Sequence, residues 1–388
     1  MISPSQFLFY EFENIRSSVI KGGGDYNTYI LNSIGINKNI VFFKLLIPIA
    51  SICISFLTIL YYCCFFIRYL FKVSIYQRKD IKRLAVKGNT LCLCFTPLFI
   101  KRISNTRFDK EESTWMIGPN ISDKMTLKQK HQYIEYKDFL VFKDVCAITL
   151  IGFKSCLIYM FRYCKYLISV YKGPEYYSVY YSLQNFSGNS WVFSNQSDRW
   201  AILFDNLPAQ EKILLQHGID YPFDYLLYKL KSISQFYAIS KGTWENSAKY
   251  LLDCSPELHF LVPTIQLEVI ESERHSVLLI SYFLFFEEEQ KILSLLSSLD
   301  VDIYVKLHPT QTDSVNRRYY DLQNIYNFEI VEKNFFPKVN FVISYFSTLA
   351  YEYNAFNIAT FIYTKNSLDV EELKCRILRE VFSINQRY

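Results

Sequence analysis

The chain has 388 residues, 51% of them hydrophobic and 18% aromatic, and a formal net charge of +5. That length holds two α/β domains and an appendage, and the hydrophobic fraction lies too near the globular norm for a multi-span transporter. The charge is mild, and no dense Lys/Arg tract with interleaved aromatics points to a nucleic-acid partner.

In chain order, residues 1–43 form a polar N-terminal segment whose Gly22-Gly23-Gly24 reads as a turn. That run lacks the preceding strand and the GK[ST] ending of a phosphate-binding loop. Residues 45–67 carry no charge and are long enough to cross a bilayer core. Lys44 precedes the run, and Arg68, Lys72, Arg78, Lys79, Lys82 and Arg83 come after it, so the positive-inside rule puts its C-terminal side in the cytoplasm. The run starts too far along the chain and is too long for a signal peptide. A long buried helix, or one half-embedded at the surface, fits it as well. Residues 44–86 are thus expected to be a hydrophobic membrane-associated helix with a basic collar. A second apolar stretch, 139–171, contains Lys143, Asp144, Lys154, Arg162 and Lys165, which suit a partly exposed amphipathic helix.

From about residue 87 the pattern becomes α/β. Strands are predicted over 90–95, 191–193, 201–204, 212–216, 235–239 and 259–262, with helices over 224–232 and 242–252. The polar stretch from Pro263 to Arg274 breaks the periodicity and reads as a linker, separating a domain at 87–263 from one at 264–388. In the second half, strands over 277–281, 302–306, 328–331, 341–344 and 358–362 alternate with helices over 287–299, 315–324, 348–354 and 370–382. This alternation predicts doubly wound parallel sheets. The fold class is therefore α/β, with two Rossmann-like domains facing across a cleft and an N-terminal hydrophobic helix.

Three polar clusters fall where predicted strands end, the place where open α/β sheets bind ligands. The first is Gln216-His217-Gly218. A histidine titrating near neutrality there suits removal of a proton from a hydroxyl, with Asp220, Asp224 or Asp205 as candidates to orient it. Gly218 permits a sharp turn or close approach. A hydrogen-bonded turn histidine is the plainer alternative. The second cluster is Lys306-Leu307-His308-Pro309. Proline biases His308 towards extended backbone, from which it can donate to a phosphate oxygen, and Lys306 alternates with it in the strand. The third is Ser344-Tyr345-Phe346-Ser347-Thr348, leading to Glu352. Hydroxyls at a helix start cap the helix or bind an anion, and Glu352, one turn on, can accept from ribose hydroxyls.

The ten cysteines include no CxxC pair and read as reduced cytosolic thiols rather than zinc ligands. No metal site is expected. Neither GxSxG, HExxH, Walker A nor GxGxxG occurs, leaving hydrolase, zinc-protease, NTPase and dinucleotide readings without support.

Over about residues 190–365 the combination of Gln-His-Gly, His-Pro and a Ser/Thr-rich helix start resembles GT-B-fold transferases of bacterial surface polysaccharides. The pattern is similar to polysialyltransferases, capsule Kdo transferases and CDP-glycerol glycerophosphotransferases. The resemblance implies that His308 and Pro309 contact the donor phosphate, that Ser347 and Thr348 lie beside it, and that His217 is the base, with Gln216, Gly218 and Asp220 on the acceptor side and Lys306 and Glu352 on the donor side. Polysialyltransferases carry an acidic pair where this chain has Gln216-His217, and the loop 282–285 lacks the Pro or Gly expected there. The same resemblance implies an inverting, metal-independent glycosyltransferase without a cofactor. It would take a nucleotide-activated donor, with a CMP-sugar favoured, and a lipid-linked or oligosaccharide acceptor of capsule, O-antigen or lipooligosaccharide synthesis. It would work at the cytoplasmic face of the inner membrane, anchored by residues 45–67. A CDP-polyol phosphotransferase of teichoic-acid type and a non-catalytic membrane-anchored component of an assembly complex are the alternatives.

Overall fold

The computed structural model describes residues 89–382, apart from 105, 110–112, 120, 122–131, 163–172, 219–225, 283–284, 309–312, 346 and 364–367, together with nine positions between 53 and 68. The polar segment 1–43, nearly all of the collar and most of the run 45–67 lie outside the described residues. Within that run the described positions are helical, and Phe56, Leu57, Leu60 and Ile67 are exposed. Among the described residues no helix is long and apolar enough to cross a membrane. Contacts divide the chain into two compact units. One holds the residues up to Tyr237 with Asn246–His259; the other holds Ala238–Glu245 with Phe260–Tyr388.

The first unit is built on a seven-stranded sheet in the order β3-β2-β1-β4-β5-β6-β7. Its strands are β1 (Thr90–Cys94), β2 (Ser113–Ile117), β3 (Gln132–Glu135), β4 (Ser190–Phe193), β5 (Lys212–Leu215), β6 (Gln235–Ala238) and β7 (Glu257–Phe260). Pairing is parallel from β3 through β6. Order reverses between β1 and β4, which makes that crevice the topological switch point. The helices are α1 (Pro97–Ile103), α2 (Phe142–Arg162), α3 (Gly173–Leu183), α4 (Arg199–Asn206) and α5 (Lys241–Tyr250). Cys92, Cys94, Trp115, Ile117, Val192, Ile213 and Leu215 form one core layer with Phe99 and Ile103 of α1. On the neighbouring aromatic contacts, Phe95 meets Trp200 and Phe204 with ring centroids 4.8 and 5.2 Å apart. Such pairs add about 1 kcal/mol each beyond area burial. Gly118 fits there because a Cβ would stand 2.7 Å from the Phe95 ring.

Two expectations fail in this unit. Residues 201–204 are helical, inside α4, where every residue from Arg199 to Asp205 is buried. Residues 200–204 are apolar at five consecutive positions, and so short an apolar run reads as a core strand as readily as a buried helix. The predicted helix 224–232 is absent over its described part, which runs as loop with a bridge at Leu230. Asp205 holds that loop by accepting from Lys231 N (3.0 Å), Ser232 N (2.7 Å) and the Tyr228 hydroxyl (2.5 Å). The helix predicted within 139–171 is α2, with exposed Phe142, Leu150 and Leu157 on one side and buried Val145 and Ile148 on the other.

The second unit carries a five-stranded parallel sheet ordered β11-β10-β9-β13-β14. Its strands are β9 (His275–Ile280), β10 (Val301–Lys306), β11 (Glu329–Ile330), β13 (Phe341–Tyr345) and β14 (Ala359–Tyr363). The short β8 (Glu268–Val269) and β12 (Pro337–Lys338) pair separately. Helices α6 (Phe286–Ser297), α7 (Asp313–Gln323), α8 (Thr348–Asn354) and α9 (Val370–Ile377) complete it. Alternate residues of β9 serve opposite layers, Val277 and Leu279 in one and Leu278 and Ile280 in the other. Burial on both faces explains why these strands read as continuous apolar runs.

Candidate functional site

In the first unit the polar residues gather at the carboxyl ends of β4 and β5. β4 leads into the loop Ser194-Asn195-Gln196-Ser197-Asp198, which ends by capping α4. One Asp198 carboxylate oxygen accepts from Ala201 N (3.0 Å) and the other from Asn195 Nδ2 (2.7 Å). β5 leads into Gln216-His217-Gly218. Gln196 Oε1 accepts from both His217 N (3.2 Å) and Gly218 N (3.1 Å), and Arg102 Nη2 of α1 donates to the His217 carbonyl at 3.5 Å. Among the described residues Nδ1 of His217 is buried with no hydrogen-bond partner, as are Ser194 Oγ and Asn195 Oδ1. Native interiors satisfy nearly all such atoms, so three of them at adjacent strand ends make this edge the candidate site of the first unit.

Burial pushes the His217 pKa below the ordinary value of 6.5. The Asp198 carboxylate opposes that shift and the Arg102 guanidinium reinforces it. A neutral imidazole at physiological pH results, the form a general base needs. Among the described residues the carboxylate that acts on it is Asp198. Asp205, one of the three acids expected to orient His217, is spent on the loop 228–232, and Asp220 and Asp224 lie outside the described residues. Gln216 also departs from expectation. It is fully buried and donates through Nε2 to Ser247 Oγ at 3.2 Å, so it ties the end of β5 to α5. Asn195, Gln196, Asp198 and Arg102 were not legible as site residues. The signal available was the Asn-Gln-Ser-Asp run ahead of an apolar stretch, a helix start placed one strand from His217.

In the second unit the corresponding edge holds Tyr282, His308, Ser347 and Thr348. His308 follows β10 and Ser347 follows β13, and these strands flank β9, whose carboxyl end is followed by Tyr282. The order reverses there too, at the β9–β13 crevice. The His308 ring meets the Tyr282 ring edge-on at 5.4 Å and 75°, and Tyr282 lies parallel to Tyr345 at 5.9 Å. Partial burial lowers the His308 pKa. Ser347 caps α8, accepting from Leu349 N at 3.2 Å, and Thr348 is the first helical residue. Pro309 and Phe346 lie outside the described residues.

Two donor-side residues are occupied otherwise. Lys306 Nζ donates to the carbonyls of Glu332 (2.8 Å), Lys333 (3.0 Å) and Phe335 (2.7 Å), using all three protons. Burial depresses its pKa to about 8. The strand ends at Lys306, so the two-residue alternation that would point it with His308 no longer applies. Glu352 is buried, and its Oε2 accepts from Thr264 N (3.1 Å) and Thr264 Oγ1 (2.8 Å), fastening the segment after Pro263. Among the described residues no group of three or more His, Cys, Asp or Glu side chains is placed to hold a metal ion.

No protein-family model and no curated protein matches the sequence. Solved structures similar to the chain include the wall teichoic acid polymerase TagF with CDPG, at 9% identity and TM-score 0.39, over 86% of this chain and 90% of that one. An O-GlcNAc transferase from Thermobaculum terrenum is similar at 10% identity and TM-score 0.36, over 71% of this chain; the chain spans 52% of that protein. MurG of Acinetobacter baumannii is similar at 10% identity and TM-score 0.36, over 76% of this chain and 91% of that one.

Proposed function

We propose that the chain is a GT-B-type glycosyltransferase that moves a sugar from a nucleotide-activated donor to a glycan acceptor of bacterial surface-polysaccharide synthesis. The observation that carries this reading is His217, a buried, neutral imidazole with an orphaned nitrogen, pinned at the carboxyl end of β5. In the proposed reaction this imidazole takes the proton of the acceptor hydroxyl. The acceptor oxygen then attacks the anomeric carbon from the face opposite the phosphate, and the carbon–oxygen bond to the phosphate breaks. The nucleotide leaves with the electron pair, which makes the transfer inverting. His308, Ser347 and Thr348 donate hydrogen bonds to the departing phosphate, where charge develops. Lys306, Glu352 and Gln216 have no part in this scheme, since other groups in the protein claim them. A CMP-sugar is the favoured donor, and membrane attachment through residues 45–67 would hold the protein where lipid-linked glycans are assembled.

A second reading rests on the His-Gly pair, which resembles the glycerophosphotransferases and not the acidic pair of the polysialyltransferases. There the same base serves an attack on phosphorus, and the phosphoanhydride breaks. The products separate the two readings, because a polyol-phosphate transfer from a CDP-activated donor releases CMP and leaves phosphate in the product.

The test measures nucleotide release from CMP-, CDP-, UDP- and GDP-activated donors in the presence of a membrane glycan extract. His308→Ala is expected to abolish release while the thermal transition stays intact. His217→Ala is expected to lower kcat by about 10²-fold or more while changing donor KM little. Wild-type rates in His308→Ala, or an effect of His217→Ala on donor KM alone, would sink the assignment. Activity unchanged by EDTA is expected of a donor phosphate met by side chains alone.

A further inference from the structure

The last ladder bond at this end of β5 is Gln216 N donating to the Tyr237 carbonyl at 2.9 Å. Beyond it the amides of His217 and Gly218 turn away from the sheet and need an acceptor. A single atom supplies it. Gln196 Oε1 accepts from His217 N at 3.2 Å and from Gly218 N at 3.1 Å. Two N–H donors converging on one atom identify it as the amide oxygen. Gln196 is only 7% exposed, so competing water is largely kept from these bonds. On the other side Arg102 donates to the His217 carbonyl. Both backbone polar groups of His217 are therefore held by side chains from separate elements, the β4–α4 loop and α1.

We propose that Gln196 is a positioning residue for His217, fixing where the imidazole stands by accepting both amides of the His217–Gly218 turn. The inference rests on His217 being the base and adds what holds that base in place. The charged groups acting on the ring are Asp198 at the start of α4 and Arg102 on α1. Gln196 is neutral, so it fixes the turn without shifting the balance among them. A glutamate at this position would accept the same two bonds but add a negative charge that favours the imidazolium. A leucine of similar size would accept neither.

The experiment uses the full chain as wild type, Gln196→Leu and Gln196→Glu. Hydrogen exchange of the peptide containing His217 and Gly218 reports the turn. Ring NMR reports His217, whose signal among the five histidines is the one absent from His217→Ala. In Gln196→Leu the two amides are expected to exchange about fivefold faster or more, as loss of a bond worth about 1 kcal/mol each implies. The His217 midpoint should rise towards that of an ordinary histidine as the ring leaves its buried position. In Gln196→Glu, exchange should stay slow while the midpoint rises through the added charge. If Gln196→Leu fails to fold, Gln196→Glu decides alone, and fast exchange there overturns the proposal. Wild-type exchange and titration in folded Gln196→Leu overturn it as well. Failure of the underlying reading looks different: His217→Ala would transfer at the wild-type rate while the exchange results stood.

Discussion

The two sheets each end in a histidine at the carboxyl edge, and they surround it differently. His217 is fixed through its backbone by Gln196 and Arg102, and its Nδ1 is sealed in the interior. His308 stands half-buried against the edge of Tyr282, and Tyr282 is fixed in turn by donating its N–H to Glu289 at 2.6 Å. Two buried carboxylates, Asp205 and Glu289, also sit at opposite edges. Asp205 lies near the end of α4, at the amino edge of the first sheet, where Lys212 at the start of β5 donates to its backbone carbonyl. Glu289 lies in the first turn of α6, at the carboxyl edge of the second sheet, bonded to Tyr282, Tyr319 and Tyr363. This separation has a chemical consequence. A second carboxylate beside His217 would raise its pKa and weaken it as a base at low pH, and placing Asp205 at the far edge leaves Asp198 as the carboxylate that acts on it.

The largest effect expected from breaking this arrangement is that of Asp205→Ala. Removing the carboxylate takes the acceptor from two part-buried amides and from the buried Tyr228 hydroxyl, and unsatisfied buried groups cost about 1–3 kcal/mol each. A loss of about 3 kcal/mol or more is expected in denaturant unfolding followed by tryptophan fluorescence, since Trp115, Trp191 and Trp200 all report the first unit. The His217 titration should stay where it was. A shifted His217 midpoint in this variant would show that Asp205 acts on the base after all.

Lys306→Met is a smaller disturbance on the other side of the comparison. It keeps most of the volume and removes the ammonium that three carbonyls share, for an expected loss of about 2 kcal/mol. Donor KM should be unchanged. A tenfold or greater rise in KM with unaltered stability would restore Lys306 to the donor site.

Much of this architecture was legible, for reasons visible in single elements. The strands of the second unit are buried on both faces and bounded by polar turns, so runs such as 277–281 stand out from their surroundings. The clusters at strand ends were legible because strand ends could be placed to within a residue or two. Orientation was not. Gln216 and His217 are adjacent and take different partners, and Lys306 leaves its strand at the residue where the alternation stops. α4 was misread because so short an apolar run as 200–204 reads as a core strand as readily as a buried helix. Gln196 was invisible for a different reason. Its role is to receive amides from another strand, and nothing in its own neighbourhood in the sequence records that pairing.

Glu289→Gln probes the subtlest difference between the two edges. Burial, only partly offset by hydrogen bonds from Tyr282, Tyr319 and Tyr363, pushes the Glu289 pKa from 4.5 up to about 8. The folded protein therefore binds a proton that the unfolded chain has already released between those values. Stability must fall as pH rises through that window, because the native state binds more protons than the unfolded one. At pH 7 the acid is mostly neutral: Oε1 still accepts from Tyr282 N, and the bond in which the Tyr319 hydroxyl donates to the carboxylate reverses, the protonated Oε2 then donating to the Tyr319 oxygen. A glutamine reproduces that pattern, so near pH 6 the variant should match the wild type within about 0.5 kcal/mol. At pH 8.5 it should be the more stable, by on the order of 1 kcal/mol or more, because it has no proton to lose. The measurement is the unfolding free energy of both proteins from pH 5 to pH 9. Parallel curves would mean that Glu289 is ionised throughout, and the second edge would then hold its tyrosine by charge rather than by a neutral acid.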